Sequence, residues 1–230
     1  DRIAYYHYAQ IPEKIATQRG MDYTKLPDSK VKLDMLLIGI ELFEAADYEF
    51  VGLDHFAKPS EGLCAARDDG SLQRNFQGMT TGGGLDLLGV GASSISHVLG
   101  VGFVQNVKQP DRYVERIVAG ATPAERGKRL TFDDTVRQIL IDQLYSYGEI
   151  RPGVIEARSG VEFDTYFARE LDIMRELERD ELVSIEPNGT IRATMPLGRV
   201  LLRNIAAVFD AYLDVDAYRS GQPDCFSANA

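Results

Sequence analysis

The sequence predicts an α/β chain: the second half of an α/β enzyme domain followed by a mostly helical cap. Three observations carry this. Up to about residue 80, β-branched and aromatic runs alternate with segments of helical period, the pattern of strands joined by helical crossovers. After Pro110 the character changes to a polar connection and then to amphipathic helices. Near the end, Asn188-Gly189 marks a single β-hairpin among those helices.

Taken in order, "IAYYHYA" (3–9) reads as a strand. In "LPDSKVKLDMLLIGIELFEAA", Ser29 reads as the cap of a helix carrying Leu33, Leu36, Leu37, Ile40 and Phe43 at helical spacing. "YEFVGLDHF" reads as one strand, Glu61 to Asp69 as a short helix and "SLQRNF" as a further strand. The alternation implies parallel strands with crossovers, and places Gln10, Asp54, His55 and the segment Arg74 to Gln77 at strand ends, where α/β enzymes keep their chemistry. "DRYVERIVAG" is a short helix and "ATPAERGKRL" a polar connection, so a domain boundary falls near 121–130. "TFDDTVRQILIDQLYSYG", with Asp133 and Asp134 in its first turn, and "EFDTYFARELDIMRELERDELV" are amphipathic helices. "LVSIEPNGTIRAT" is the hairpin, and "MPLGRVLLRNIAAVFDAYLDV" closes as one long helix with Pro196 in its first turn.

Helix, helix, helix, hairpin, helix resembles a winged helix, a module that often binds DNA. Charge opposes that use. Residues 131–230 carry 10 Arg and no Lys against 18 Asp and Glu, and the whole chain has a net charge of −10. A groove reader needs cations for phosphates, and the sign is also wrong for an anionic membrane. The expectation is therefore no nucleic acid and no membrane partner. The two cysteines, Cys64 and Cys225, are far apart and form no CxxC pair. This reads as a reducing, cytoplasmic chain without a disulfide framework, and as one that does not by itself hold an iron–sulfur cluster. The chain opens at Asp1 directly into a strand-like run, which suggests a piece of a longer protein.

The candidate chemistry centres on "RNFQGMTTGGGLDLLGVGASSIS" (74–96). A Walker loop needs GxxxxGK before Ser or Thr, and no Lys is present. A dinucleotide fingerprint needs GxGxxG, and only "GVG" occurs. Gly82 to Gly84 read better as a turn. Phe76 and Gln77 can line a pocket with a stacking face and a two-sided amide, or be a core ring and a surface amide. Asp54 and His55 are adjacent in the expected strand, so their side chains should point to opposite faces and not pair. Arg74 is either a carboxylate clamp or an ion-pair partner.

"YEFVGLDHFAKP", "LQRNFQGMTT", "DLLGVGASSIS", "GRVLLRNIAAVFDAYL" and the opening "DRIAYYHYAQIP" resemble the oxygen-independent coproporphyrinogen III oxidase family, which belongs to the radical S-adenosylmethionine enzymes. The resemblance covers essentially this whole chain but only the carboxyl-terminal half of the family's protein. It implies that residues 1–125 are the later strands of a partial (β/α) radical-SAM barrel and 126–230 a helical, winged-helix-like cap with a small hairpin. It implies a cytoplasmic enzyme of haem biosynthesis that converts two propionates of coproporphyrinogen III to vinyls. Its cofactors would be two S-adenosylmethionines per full-length protein and a [4Fe–4S] cluster, fed by an electron donor. By the same resemblance Phe76 and Gln77 are needed for activity, and Ala9 and Ile95 contact the second S-adenosylmethionine. The family's three clustered cysteines have no counterpart here, so no residue of this chain is expected to ligate metal. The chain alone is expected to be inactive and to self-associate through an exposed barrel edge. A haem chaperone of the same family, with His55 or His97 as haem contacts, is the alternative reading.

Overall fold

The computed structural model describes residues 1–13 and 15–213. Its first sheet corrects the expected parallel arrangement. β1 (Arg2–Ala4), β2 (Glu49–Phe50) and β3 (His55–Ala57) are ordered β1-β3-β2, with both pairings antiparallel. The helix α1 (Ser29–Ala45) does carry the chain from β1 to a strand running the same way. However, "YEFVGLDHF" is not one strand. It folds back at Gly52 (φ 102°) and Leu53 (φ 43°), and the returning strand β3 inserts between β1 and β2. Every other strand pairing among the described residues is antiparallel too.

Other expectations shift more modestly. The first strand ends at Ala4. The cap of α1 is Asp28 rather than Ser29, its carboxylate accepting the Val31 N–H at 2.8 Å. Val31, Met35, Ile38 and Leu42 form an exposed apolar stripe along α1. Helix α2 (Gly62–Asp69) follows Glu61 and ends at Gly70 in the left-handed region. β4 (Gln73–Asn75) and β5 (Gly78–Thr80) form a hairpin.

β6 (Ile95–Val98) and β7 (Gly102–Asn106) pair, and after α3 (Pro110–Val118) the supposed polar connection is a strand, β8 (Ala124–Arg129). Its polarity has a physical reason: β8 is an exposed edge strand of the β6-β7-β8 sheet, and charged edges resist further pairing. The boundary expected at residues 125/126 falls inside it.

The carboxyl-terminal part is organised by α4 (Phe132–Tyr147). Thr131 accepts the Asp134 N–H at 3.1 Å while the Asp134 carboxylate accepts the Thr131 N–H at 2.8 Å, a capping box. Thr131→Ala is expected to cost about 1 kcal/mol, read as a lowered urea midpoint at unchanged slope. α5 (Pro152–Ser159), α6 (Phe163–Tyr166) and α7 (Ala168–Arg179) pack on α4. The hairpin β10 (Val183–Ile185) and β11 (Ile191–Ala193) forms as expected, and β9 (Glu149–Ile150) adds a third strand.

The predicted long last helix is instead two short ones, α8 (Leu197–Val200) and α9 (Leu202–Ala207), interrupted at Leu201. A Cβ on Gly198 would lie 2.1 Å from the Leu182 carbonyl oxygen, so α8 is pressed against the segment that leads into the hairpin. The stretch of this helix beyond 213 lies outside the described residues.

Two apolar clusters meet at α4. The larger joins Val136, Leu140 and Leu144 to Phe163, Phe167 and Phe209, with Phe167 edge-on to Phe209 at 5.6 Å between centroids. The smaller comprises Val51, Ala57, Leu63, Cys64, Ala66, Leu72 and Met79. Tyr147 on α4 packs against it and donates to the Leu72 carbonyl at 2.8 Å.

Candidate functional site

Phe76 and Gln77 are the two residues of the tight turn between β4 and β5, closed by the Asn75–Gly78 pair. Gly78 has φ 126°, a conformation that side chains strain to adopt, and Asn75 accepts the Gln77 N–H at 2.8 Å. This local chemistry pushes both side chains outward. Phe76 is 59% exposed, yet its ring is fixed edge-on against Phe103 of β7 at 5.3 Å. Gln77 is exposed, and its side-chain amide has no partner among the described residues.

Phe103 connects this turn to the β6–β7 sheet. It pairs across with His97, and the two rings stack at 4.1 Å. Ile95 is two residues from His97 on β6, so both occupy one face. The stretch before it runs alongside, with Leu87 bridging His97. A Cβ on Gly89 would lie 2.7 Å from the Ile95 carbonyl oxygen, so this close approach requires glycine. The structure therefore links Phe76 to the face that carries Ile95 through Phe103 and His97. Ala9 is exposed on a separate segment. Its carbonyl accepts from Gln18 at 2.8 Å, and none of its hydrogen bonds is to the hairpin or this sheet.

The glycine triplet is a turn. The Gly82 N–H is taken by Thr80 Oγ1 and the Gly84 N–H by Gln73 Oε1, both at 3.0 Å, which leaves those amides no phosphate to cradle.

Beneath the hairpin lies a pair that the strand reading excluded. Asp54 Oδ1 is 2.7 Å from His55 Nδ1. The alternation argument fails because Asp54 is not in a strand: it sits in the turn set by Gly52 and Leu53, and β3 begins only at His55. Asp54 is a hub, also pairing with Arg203 Nη2 at 2.7 Å and Arg74 Nη1 at 3.7 Å. Burial alone would raise its pKa. The close approach of His55 and the charges of Arg203 and Arg74 outweigh burial and hold it below the usual range. The His55 ring backs directly onto the hairpin, since a Cβ on Gly78 would lie 2.8 Å from His55 Nε2. Arg74 is engaged as an ion-pair partner and lies over the Tyr145 ring at 5.6 Å. His97 is buried with Nε2 unpartnered, and burial lowers its pKa.

Asp142 on α4 has its pKa pushed up to about 7 by burial, opposed by Arg158 and Arg74. The folded state therefore keeps a proton that the unfolded chain releases near 3.8. Its contribution to stability is largest at low pH and declines as pH rises from about 4 to about 7. Asp142→Asn should remove this decline and be more stable than wild type at pH 8, by at most ~4 kcal/mol and less where solvent screens the carboxylate. Urea unfolding at pH 5 and pH 8 checks it. Neither Asp142 nor Arg203 was singled out in the sequence: Arg203 lies within "GRVLLRNIAAVFDAYL", but its partner Asp54 is 149 residues away.

No three His, Cys, Asp or Glu side chains among the described residues could hold a metal ion. Cys64 is buried, its thiol pushed up by desolvation and directed at the Lys58 carbonyl at 3.3 Å; Cys225 lies outside the described residues. A [4Fe–4S] cluster does not fit these side chains. No helix among the described residues is long and apolar enough to cross a membrane.

No family model matches the chain. Among curated proteins it is 40% identical over 213 residues to oxygen-independent coproporphyrinogen III oxidase of Salmonella typhimurium, covering 93% of this chain and 46% of that protein. It is 40% identical over 222 residues to the protein of that name from Thermostichus vulcanus, covering 96% and 67%. Among solved structures, coproporphyrinogen III oxidase from Escherichia coli, described as a radical SAM enzyme, superposes with a TM-score of 0.86 at 38% identity, over 93% of this chain and 48% of that one. The chain spans about half the length of most of the curated relatives it matches. With 67% of one relative covered at 40% identity, the chain belongs to the oxygen-independent coproporphyrinogen III oxidase family.

Proposed function

We propose that this chain forms part of an enzyme that oxidatively decarboxylates two propionates of coproporphyrinogen III to vinyl groups, giving protoporphyrinogen IX. At each propionate one hydrogen atom, one electron and CO2 leave. S-adenosylmethionine and a [4Fe–4S] cluster would supply the hydrogen-atom acceptor, with the cluster held outside the described residues of this chain. What this chain contributes is position and exclusion of water.

The observation that carries this reading is the Phe76–Gln77 turn. An aromatic ring and a free amide stand exposed on a rigid hairpin, braced by Phe103 above and by the Asp54–His55 pair behind. A ligand site needs its contact groups held in place by such support. Phe76 would stack on the adenine of a second S-adenosylmethionine, Gln77 would hydrogen-bond its polar edge, and Ile95 and the Ala9 backbone would contact the same molecule. Binding stoichiometry tests this. The full-length protein should bind two S-adenosylmethionines, and Gln77→Ala should reduce this to one. Two equivalents retained by the variant would remove Gln77 from the site.

The chain alone would be inactive for want of cluster ligands. It would self-associate through exposed apolar surface, of which the α1 stripe is the longest run. Light scattering that gave a monomer at micromolar concentration would contradict the self-association.

A further inference from the structure

A cleft of about 510 Å³ bordered by α1, β2 and the end of α4 holds a guanidinium with no counter-ion among the described residues. Four arginines line it, Arg67, Arg151, Arg192 and Arg199, against three glutamates, Glu44, Glu49 and Glu149. The pairing is uneven. Arg67 donates to Glu49 at 2.6 Å and to the Phe50 carbonyl at 2.9 Å. Arg151 and Arg192 both pair with the buried Glu149. Arg199 meets no carboxylate among the described residues. Its guanidinium lies over the Phe50 ring, 3.7 Å from the centroid. Its Nη1 is 3.5 Å from the Tyr147 carbonyl, and its Nε is buried without a partner.

The seat is built for this side chain. Gly148 ends α4 in the left-handed region, and a Cβ there would lie 2.6 Å from Arg199 Nη1. Burial and the nearby charge of Arg67 pull the Arg199 pKa down to about 10, the mark of a cation short of compensation. A second group in the same cleft is also unpartnered. Ser146 is 2% exposed, and its Oγ has no hydrogen bond.

We propose that this cleft binds a small organic oxyanion, a carboxylate or phosphate group, clamped by the Nε–Nη2 edge of Arg199 and by the Ser146 hydroxyl. The edge is the one that a planar guanidinium offers bidentately, since Nη1 faces Tyr147 and Gly148. Glu149 does not face the anion as a bare charge, because it pairs with Arg151 and with Arg192, the latter shared with Glu186. The volume exceeds that of an inorganic ion, and Tyr48, Phe50 and Tyr147 provide walls for a carbon body. None of these residues belongs to the Phe76–Gln77 group, so the proposal stands or falls apart from the oxidase reading.

The test is titration of the full-length protein, at constant ionic strength, with inorganic phosphate, acetate and chloride in separate arms, read by calorimetry and by the shift in thermal midpoint. Phosphate or acetate should bind one site saturably while chloride does not, and the stronger of the two names the ligand's head group. Arg199→Gln should weaken that binding about 10-fold or more, and Arg199→Lys should fall between. Ser146→Ala, which leaves the charge and the fold in place, should weaken it about 3-fold. Equal weak effects from all three anions, or wild-type affinity in both Arg199→Gln and Ser146→Ala, would overturn the site.

Discussion

Phe76→Ala and Gln77→Ala, each made in the full-length protein, should lower anaerobic oxidase turnover by about 100-fold or more, while Gln77→Ala leaves the thermal midpoint nearly unchanged and Phe76→Ala lowers it by only about 2–4 °C. The size follows from positioning: a reacting group displaced by about 1 Å loses on the order of 100-fold in rate. The separation from stability follows from exposure. Gln77 is exposed and makes no side-chain contact that folding depends on, and exposed substitutions usually stay within about 0.5 kcal/mol. Phe76 gives up its edge-to-face contact with Phe103, worth about 1 kcal/mol. A fall in turnover matched by a fall in stability would point to a structural turn instead. Phe76→Leu sharpens the reading, since it keeps apolar bulk but loses the stacking face. It should restore the stability lost in Phe76→Ala and little of the turnover.

Asp54→Ala should cost about 2–3 kcal/mol, because it leaves the half-buried Arg74 and the His55 Nδ1 without their carboxylate, while the more exposed Arg203 is partly compensated by solvent. His55 loses its Nδ1 partner, and Arg203 and Arg74 lose their carboxylate. The hub also ties β3 to α9, so its loss should loosen the seat of the Phe76–Gln77 hairpin. Turnover should then fall together with stability, unlike the pattern for Gln77→Ala. Arg203→Ala, which removes one exposed cation and leaves Asp54 paired with His55 and Arg74, should cost only about 1 kcal/mol. Because the folded pKa of Asp54 is depressed, its stabilisation is complete above the ordinary carboxylate range and is lost as pH falls through the folded value. Wild type should lose this contribution in acid, and Asp54→Ala should show no such loss. Urea unfolding of the three proteins at pH 7 and pH 3 measures it.

What the sequence made legible was local. The helix with Asp133 and Asp134 in its first turn, the Asn188-Gly189 hairpin and the helix from Glu61 to Asp69 are each determined by neighbours within a few residues, and each formed. The failures came where distant packing decided. "YEFVGLDHF" has an unbroken strand composition, but Gly52 and Leu53 take positive φ and Leu53 hydrogen-bonds to the Tyr145 carbonyl at 2.9 Å, a partner on α4. That one turn made the sheet antiparallel and brought Asp54 onto His55. "AERGKR" looks like a loop because it is an edge strand, and no local pattern separates the two. The candidate site divides in the same way. Phe76 and Gln77 were visible as a motif, and they sit at a hairpin tip that the sequence did not separate from a strand end. Arg203, Asp142 and the Arg199 cleft depend on contacts spanning much of the chain, so no spacing could have marked them.

The proposed function places this chain within a coproporphyrinogen oxidase. The most direct measurement is anaerobic incubation of the full-length protein, with its cluster reconstituted, with coproporphyrinogen III, S-adenosylmethionine and a reductant, counting CO2 and identifying the porphyrin formed. Two CO2 per molecule and protoporphyrinogen IX are the predicted result. Consumption of neither substrate, or S-adenosylmethionine cleavage without CO2 release, would contradict the account.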